Sequence, residues 1–132
     1  AHLFSYFRGE EWRTQKETQR LLDKYFTTKP NGIPGNDDTG TMSAWAIFNM
    51  IGFYPDCPGL PEYTLTTPVF NRVTIRLDPK WYKEKELVIE SNRTQPGTLY
   101  INKVLLNGKK FNQYRITHDE LVHSQRILFD LK

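Results

Sequence analysis

The sequence predicts an α+β fold: two helices in the first 56 residues, followed by a small antiparallel β-sheet or sandwich segment over residues 57–132. Three observations predict it. Residues 10–26 and 41–53 carry apolar side chains at helical spacing or in a nearly continuous apolar block. The stretch 55–68 then holds Pro55, Pro58, Gly59, Pro61 and Pro68, which end helical character and read as an irregular connection. Beyond it come short alternating apolar runs bounded by turn residues, the pattern of half-buried strands.

The elements follow in order. Over 10–26, Gly9 precedes the helix, Glu10 and Glu11 suit the positive end of its dipole, and Lys24 suits the other end. Leu21, Leu22, Tyr25 and Phe26 give its last turns an apolar patch. Residues 27–34 read as a loop, with Asn31-Gly32 and two prolines as turn chemistry. Over 41–53, Met42, Ala44, Trp45, Ala46, Ile47, Phe48, Met50, Ile51 and Phe53 cover nearly the whole circumference of a helix. Such a helix asks for burial on all sides. One amphipathic helix and a few strands hardly enclose it, so this segment is expected to need further protein, or to drive self-association. The strands expected are 73–77, 87–90, 100–106 and 127–131, and Asn107-Gly108 is a tight-turn signal.

Composition excludes several classes of function. The 132 residues carry a net charge of +3, but Lys and Arg alternate with Asp and Glu, as in Lys80-Trp81-Tyr82-Lys83-Glu84-Lys85-Glu86. That is a mixed solvated surface and not a nucleic-acid footprint. No run approaches the ~18 apolar residues of a membrane span. A single cysteine, Cys57, rules out an internal disulfide framework and reads as a packed, inert thiol. The start, Ala1 to Phe7, has neither an initiator Met nor the pattern of a signal peptide, and reads as cut from within a longer protein.

The chemistry concentrates in the loop 34–40, Pro34-Gly35-Asn36-Asp37-Asp38-Thr39-Gly40. Three polar side chains at the mouth of an apolar helix have two explanations. One is capping, with Asp38 or Thr39 accepting from the helix's free N–H groups and Asn36 and Asp37 forming Asx turns. The other is a general base: a carboxylate before a helix N-terminus, stabilised as the anion, that polarises a water for attack on an anomeric carbon. Adjacent carboxylates also suit Ca²⁺. The loop begins like an EF-hand, but no glutamate follows at the required offset.

Longer runs carry a resemblance. Trp12-Arg13-Thr14-Gln15, Pro30 to Asp38, Gly40, Met42-Ser43-Ala44-Trp45, Gly52-Phe53-Tyr54-Pro55, Cys57-Pro58-Gly59, Pro61-Glu62-Tyr63 and Ile116 to Leu121 together resemble glycoside hydrolase family 92. The resemblance covers nearly the whole chain. It implies a Ca²⁺-dependent, inverting exo-α-mannosidase acting on terminal, α-1,2-linked mannose of glycans. It implies a catalytic (α/α)₆ barrel, which residues 1–56 would enter, and export to the periplasm, cell surface or medium. Asp38 is then the expected general base, with Asp37 beside it in the catalytic pair and Asn36, Gly35 and Gly40 orienting substrate or water. The general acid and most calcium ligands would lie outside these residues, leaving this segment inactive alone. The sequence departs from the family at Thr39 (often Cys), Thr41 (usually Gln) and His123-Ser124 (usually a Gly pair).

Other residues weigh less. His118 is expected in a loop before the last strand, and His2 as a structural residue, with a place close to the parent's active site as its lesser alternative. Trp45 is expected in the core, and Trp12 and Trp81 are candidates for stacking on sugars. Asn92-Arg93-Thr94 fits a glycosylation sequon. The rival function is a non-catalytic carbohydrate-binding or scaffold module: a monomer with an exposed aromatic platform.

Overall fold

A computed structural model describes residues 1–132. A 3₁₀ turn, His2–Tyr6, leads into helix α1, Glu11–Tyr25. Ion pairs one turn apart, Arg13 to Glu10 at 2.6 Å and Arg20 to Glu17 at 2.8 Å, line its solvent face. The buried face is mostly polar: Thr14, Gln15, Thr18 and Leu22. Gln15 has a defined partner there, since its Oε1 accepts the Ile101 N–H at 2.9 Å and so ties the helix to the sheet. The apolar patch expected at the helix end is only partly covered, with Leu22 buried and Tyr25 exposed.

Helix α2 spans Thr41–Ile51. It stops at Gly52 because that residue adopts φ 120°, and a Cβ there would stand 2.9 Å from the Pro68 ring. Of its side chains only Ala46 and Asn49 are buried within this chain, and Ile47 is 54% exposed. The all-round burial expected of this helix is therefore not met by these residues. One face packs on the strands and on aromatic neighbours, and the other is open. Trp45, expected in the core, is half-buried, stacked on Phe26 with ring centroids 5.4 Å apart.

Two sheets complete the fold. The smaller has strand order β1 (Phe53–Tyr54), β2 (Glu62–Leu65), β7 (Arg115–Thr117), all antiparallel. The larger has the order β3 (Arg72–Arg76), β4 (Glu86–Arg93), β8 (Arg126–Leu131), β5 (Ile101–Leu106), β6 (Lys109–Phe111). Here the antiparallel expectation needs correction: β8 runs parallel to β4. The chain leaves the larger sheet after β6, pairs β7 with β2, turns through helix α3 (His118–Val122), and re-enters between β4 and β5. A strand returning through such a crossover is free to run parallel, whereas a hairpin is not.

The core forms where the sheets and α3 meet. Phe53, Leu65, Ile89, Val104, Ile116, Leu121, Ile127, Phe129 and Leu131 belong to one buried cluster. Strand β8 alternates, with Ile127, Phe129 and Leu131 inward. Asn107 and Gly108 take φ 49° and 81° in the β5–β6 hairpin, as the turn signal predicts. His118, expected in a loop, instead opens α3. A capping box builds that short helix: Thr117 Oγ1 accepts from the Glu120 N–H at 3.1 Å while Glu120 Oε2 accepts from the Thr117 N–H at 2.9 Å. No helix is long and apolar enough to cross a membrane.

Candidate active site

The loop 34–40 is held at both ends. Before it, the Thr27 N–H donates to the Gly32 carbonyl and the Gly32 N–H to the Lys29 carbonyl, each at 2.9 Å. A Cβ on Gly32 would lie 2.0 Å from the Thr27 oxygen, so only glycine closes this turn. Gly35 turns the chain at φ 89°. After the loop comes the N-terminus of α2.

The structure gives the two aspartates different tasks. Asp37 is the cap. Its Oδ1 accepts the Ser43 N–H at 2.8 Å and its Oδ2 accepts the Ser43 hydroxyl at 2.7 Å. These bonds, the backbone one foremost, hold the Asp37 carboxyl below the ordinary carboxylate range. The capping reading placed this task on Asp38 or Thr39. Asp37 takes it because the chain between them turns back: Thr39 sits at φ 52°, ψ 25° and Gly40 at φ 81°, ψ 11°, both left-handed, which swings Asp37 over the first turn of α2.

Asp38 is fixed through its backbone and left free at its side chain. Its carbonyl accepts the Thr41 N–H and, at 2.7 Å each, the hydroxyls of Thr39 and Thr41. Its carboxylate makes no hydrogen bond within the chain and is exposed, as is the Asn36 amide beside it. A carboxylate with both oxygens unspent, on a loop whose backbone is pinned, is what a base or a ligand-binding group requires. The loop also borders an apolar hollow of about 240 Å³ between α1 and α2, where Pro34 and Thr41 meet Tyr25, Phe26, Trp45 and Tyr54.

His2 lies behind this hollow, deep in the structure. It is buried, stacked on Tyr54 with centroids 4.5 Å apart, and its Nε2 is 2.8 Å from Asn49 Oδ1. Asn49 spends its Nδ2 on the Trp45 carbonyl at 2.7 Å, so His2 is the donor of the pair. Burial pushes the His2 pKa below 6.5, with the Asn49 bond opposing that shift. This pairing, across 47 residues, had no local sequence signal. Neither did the cluster around Arg115, which meets Asp56 at 3.2 Å, Glu62 at 3.3 Å and Thr64 at 2.8 Å, with the Tyr6 ring 4.4 Å from its guanidinium carbon. Burial pushes Asp56 up, and the Arg115 guanidinium more than offsets it, holding Asp56 below 3.8.

His118 is set between two phenols, with Nδ1 2.9 Å from the Tyr63 hydroxyl and Nε2 3.4 Å from that of Tyr82. Trp12 and Trp81 are both exposed, at 42% and 72%. No three acidic, histidine or cysteine side chains converge anywhere in the chain. Both Asp37 oxygens are taken by Ser43. These residues alone do not build a calcium site.

Comparison with known proteins bears on this geometry. Residues 1–132 match the glycosyl hydrolase family 92 catalytic domain. A protein of Arthroderma benhamiae described as an uncharacterized secreted glycosidase is 28% identical over 119 residues, which is 90% of this chain and 15% of that one. A family GH92 α-mannosidase of Bacteroides thetaiotaomicron, solved with mannoimidazole, superposes with a TM-score of 0.89 at 30% identity, over 99% of this chain and 17% of that one. A family GH92 inverting mannosidase of the same species superposes with a TM-score of 0.79 at 35% identity, over 92% and 16%. The chain thus spans less than a fifth of the length of these relatives.

Proposed function

The chain belongs to glycosyl hydrolase family 92, and we propose that it is the base-bearing segment of a longer, exported exo-α-mannosidase in which Asp38 is the general base. One observation carries the reading: of the two adjacent aspartates, Asp37 is spent on Ser43 and Asp38 presents an unengaged carboxylate from a pinned backbone.

The chemistry follows from that arrangement. Asp38 takes a proton from a water as the water attacks the anomeric carbon from the face opposite the leaving oxygen. An acid from outside these residues protonates that oxygen, and configuration inverts. The acid and base carboxyls of such enzymes stand roughly 6.5–9.5 Å apart to admit the water. Asp37 holds the loop through its capping bonds, and in this reading the Asn36 amide orients the water or a sugar hydroxyl, with Gly35 and Gly40 giving the loop its close approach. In this reading α1 and α2 are part of an (α/α)₆ barrel completed by the rest of the protein. Calcium dependence belongs to the same proposal, with ligands mostly from beyond this chain. The relatives described as mannosidases support mannose-terminated glycans, α-1,2-linked in our reading, as substrates. The relative described as secreted supports export.

Following the anomeric proton by NMR as the longer protein cleaves an α-1,2-linked mannobiose tests this. The expected first product is β-mannose, formed at a rate that a calcium chelator abolishes. Release of α-mannose first would refute a single inverting displacement with Asp38 as base.

A further inference from the structure

We propose that Thr39 and Thr41 are positioning residues for Asp38, and that Thr39 holds a strained backbone to serve that purpose. The inference rests on Asp38 being the base.

Thr39 sits at φ 52°, ψ 25°. A β-branched residue in the left-handed region is an outlier, since Gly or Asn takes that conformation at lower cost. Packing does not compensate here, because Thr39 is exposed. The hydrogen bond its side chain makes is to the Asp38 carbonyl, at 2.7 Å. Thr41 is exposed too, and its hydroxyl goes to the same oxygen at the same distance. With the Thr41 N–H, three donors converge on one carbonyl that has two lone pairs. On the other side, Asp37 is fixed to Ser43 through both carboxylate oxygens. The backbone of Asp38 is therefore clamped from both directions, and its side-chain torsions alone stay free. Strain kept at an exposed position that buries nothing is accounted for by what the hydroxyl holds in place.

Five single variants of the longer protein test this: Thr39→Gly, Thr39→Ser, Thr41→Val, Thr41→Ser and Asp38→Asn. Thr39→Gly relieves the strain and removes the hydroxyl, so its melting temperature is expected to rise while kcat falls, with KM nearly unchanged. Thr41→Val is expected to lower kcat in the same way. Each loss should be about tenfold, less than the ~100-fold that a displacement of 1 Å can cost. Thr39→Ser and Thr41→Ser keep the hydroxyls and should keep kcat. A purely structural role would lower stability and activity together, and would not separate serine from glycine or valine. Undiminished kcat in Thr39→Gly and Thr41→Val, with Asp38→Asn inactive, would overturn this proposal and leave the base assignment standing. An active Asp38→Asn enzyme would remove the base assignment, and this proposal with it.

Discussion

Asp37 and Asp38 are neighbours of one residue type with separate hydrogen-bond partners, and the bonds that hold Asp37 are testable by titration. Asp37 has a folded pKa held below its ordinary 3.8 by the Ser43 N–H and hydroxyl. A depressed carboxyl contributes stability that is full above its unfolded value and is lost as pH falls through the folded one. Thermal melts of Asp37→Asn should therefore be less stable than wild type near neutrality, with the gap closing below pH 3.8. A gap that persists at that acidity would assign the loss to something other than the ionised cap. His2 works at milder pH. Burial holds its pKa below 6.5, so the folded state binds fewer protons than the unfolded one, and stability should fall as pH drops below that value. Replacing His2 by Gln should flatten that slope, and an unchanged slope would point to another group. The Asn-Asp-Asp run was legible in the sequence as chemistry, but the division of labour was not. A cap that reaches six residues onward depends on two left-handed residues, and one of them is a threonine that no pattern marks as such.

The elements read most clearly where a periodic pattern and a terminator coincided. Helices α1 and α2 and strands β3, β4, β5 and β8 lie within a few residues of the expected spans, because each carries a run of apolar side chains with turn residues beyond it. Strands β1, β2 and β7 are two to four residues long and take their pairing from distant segments, so the proline-rich stretch looked like connection alone. The direction of β8 depends on topology, which alternation does not encode. The Thr117–Glu120 capping box was a readable signal for α3 that the loop assignment passed over. Two substitutions probe this level. Phe129 is 1% exposed at the centre of the core, so Phe129→Ala should cost about 3–5 kcal/mol in denaturant unfolding. Gln15→Leu would leave the Ile101 N–H without its acceptor, for about 1–3 kcal/mol, although leucine is apolar and of similar size. A neutral Gln15→Leu would mean that water or β-sheet rearrangement satisfies that group.

At the scale of the molecule, what these residues leave uncovered matters as much as what they bury. Leu3 is 68% exposed and Ile47 54%, and a separate apolar hollow borders the loop. Natural monomers seldom present such surface without a partner. Prepared by itself, the 132-residue chain is expected to scatter light above its 15.6 kDa mass and to release no mannose. A well-behaved monomer with measurable mannose affinity would favour a binding module. The measurement that bears most directly on the central claim is the rate of mannose release from an α-1,2-linked mannobiose by the longer protein, beside its Asp38→Asn variant. The account predicts a loss of about 10²–10⁴-fold, the contribution of a positioned general base, with the variant still folded and binding substrate. An Asp38→Asn enzyme that keeps its rate would contradict the account and move the base elsewhere.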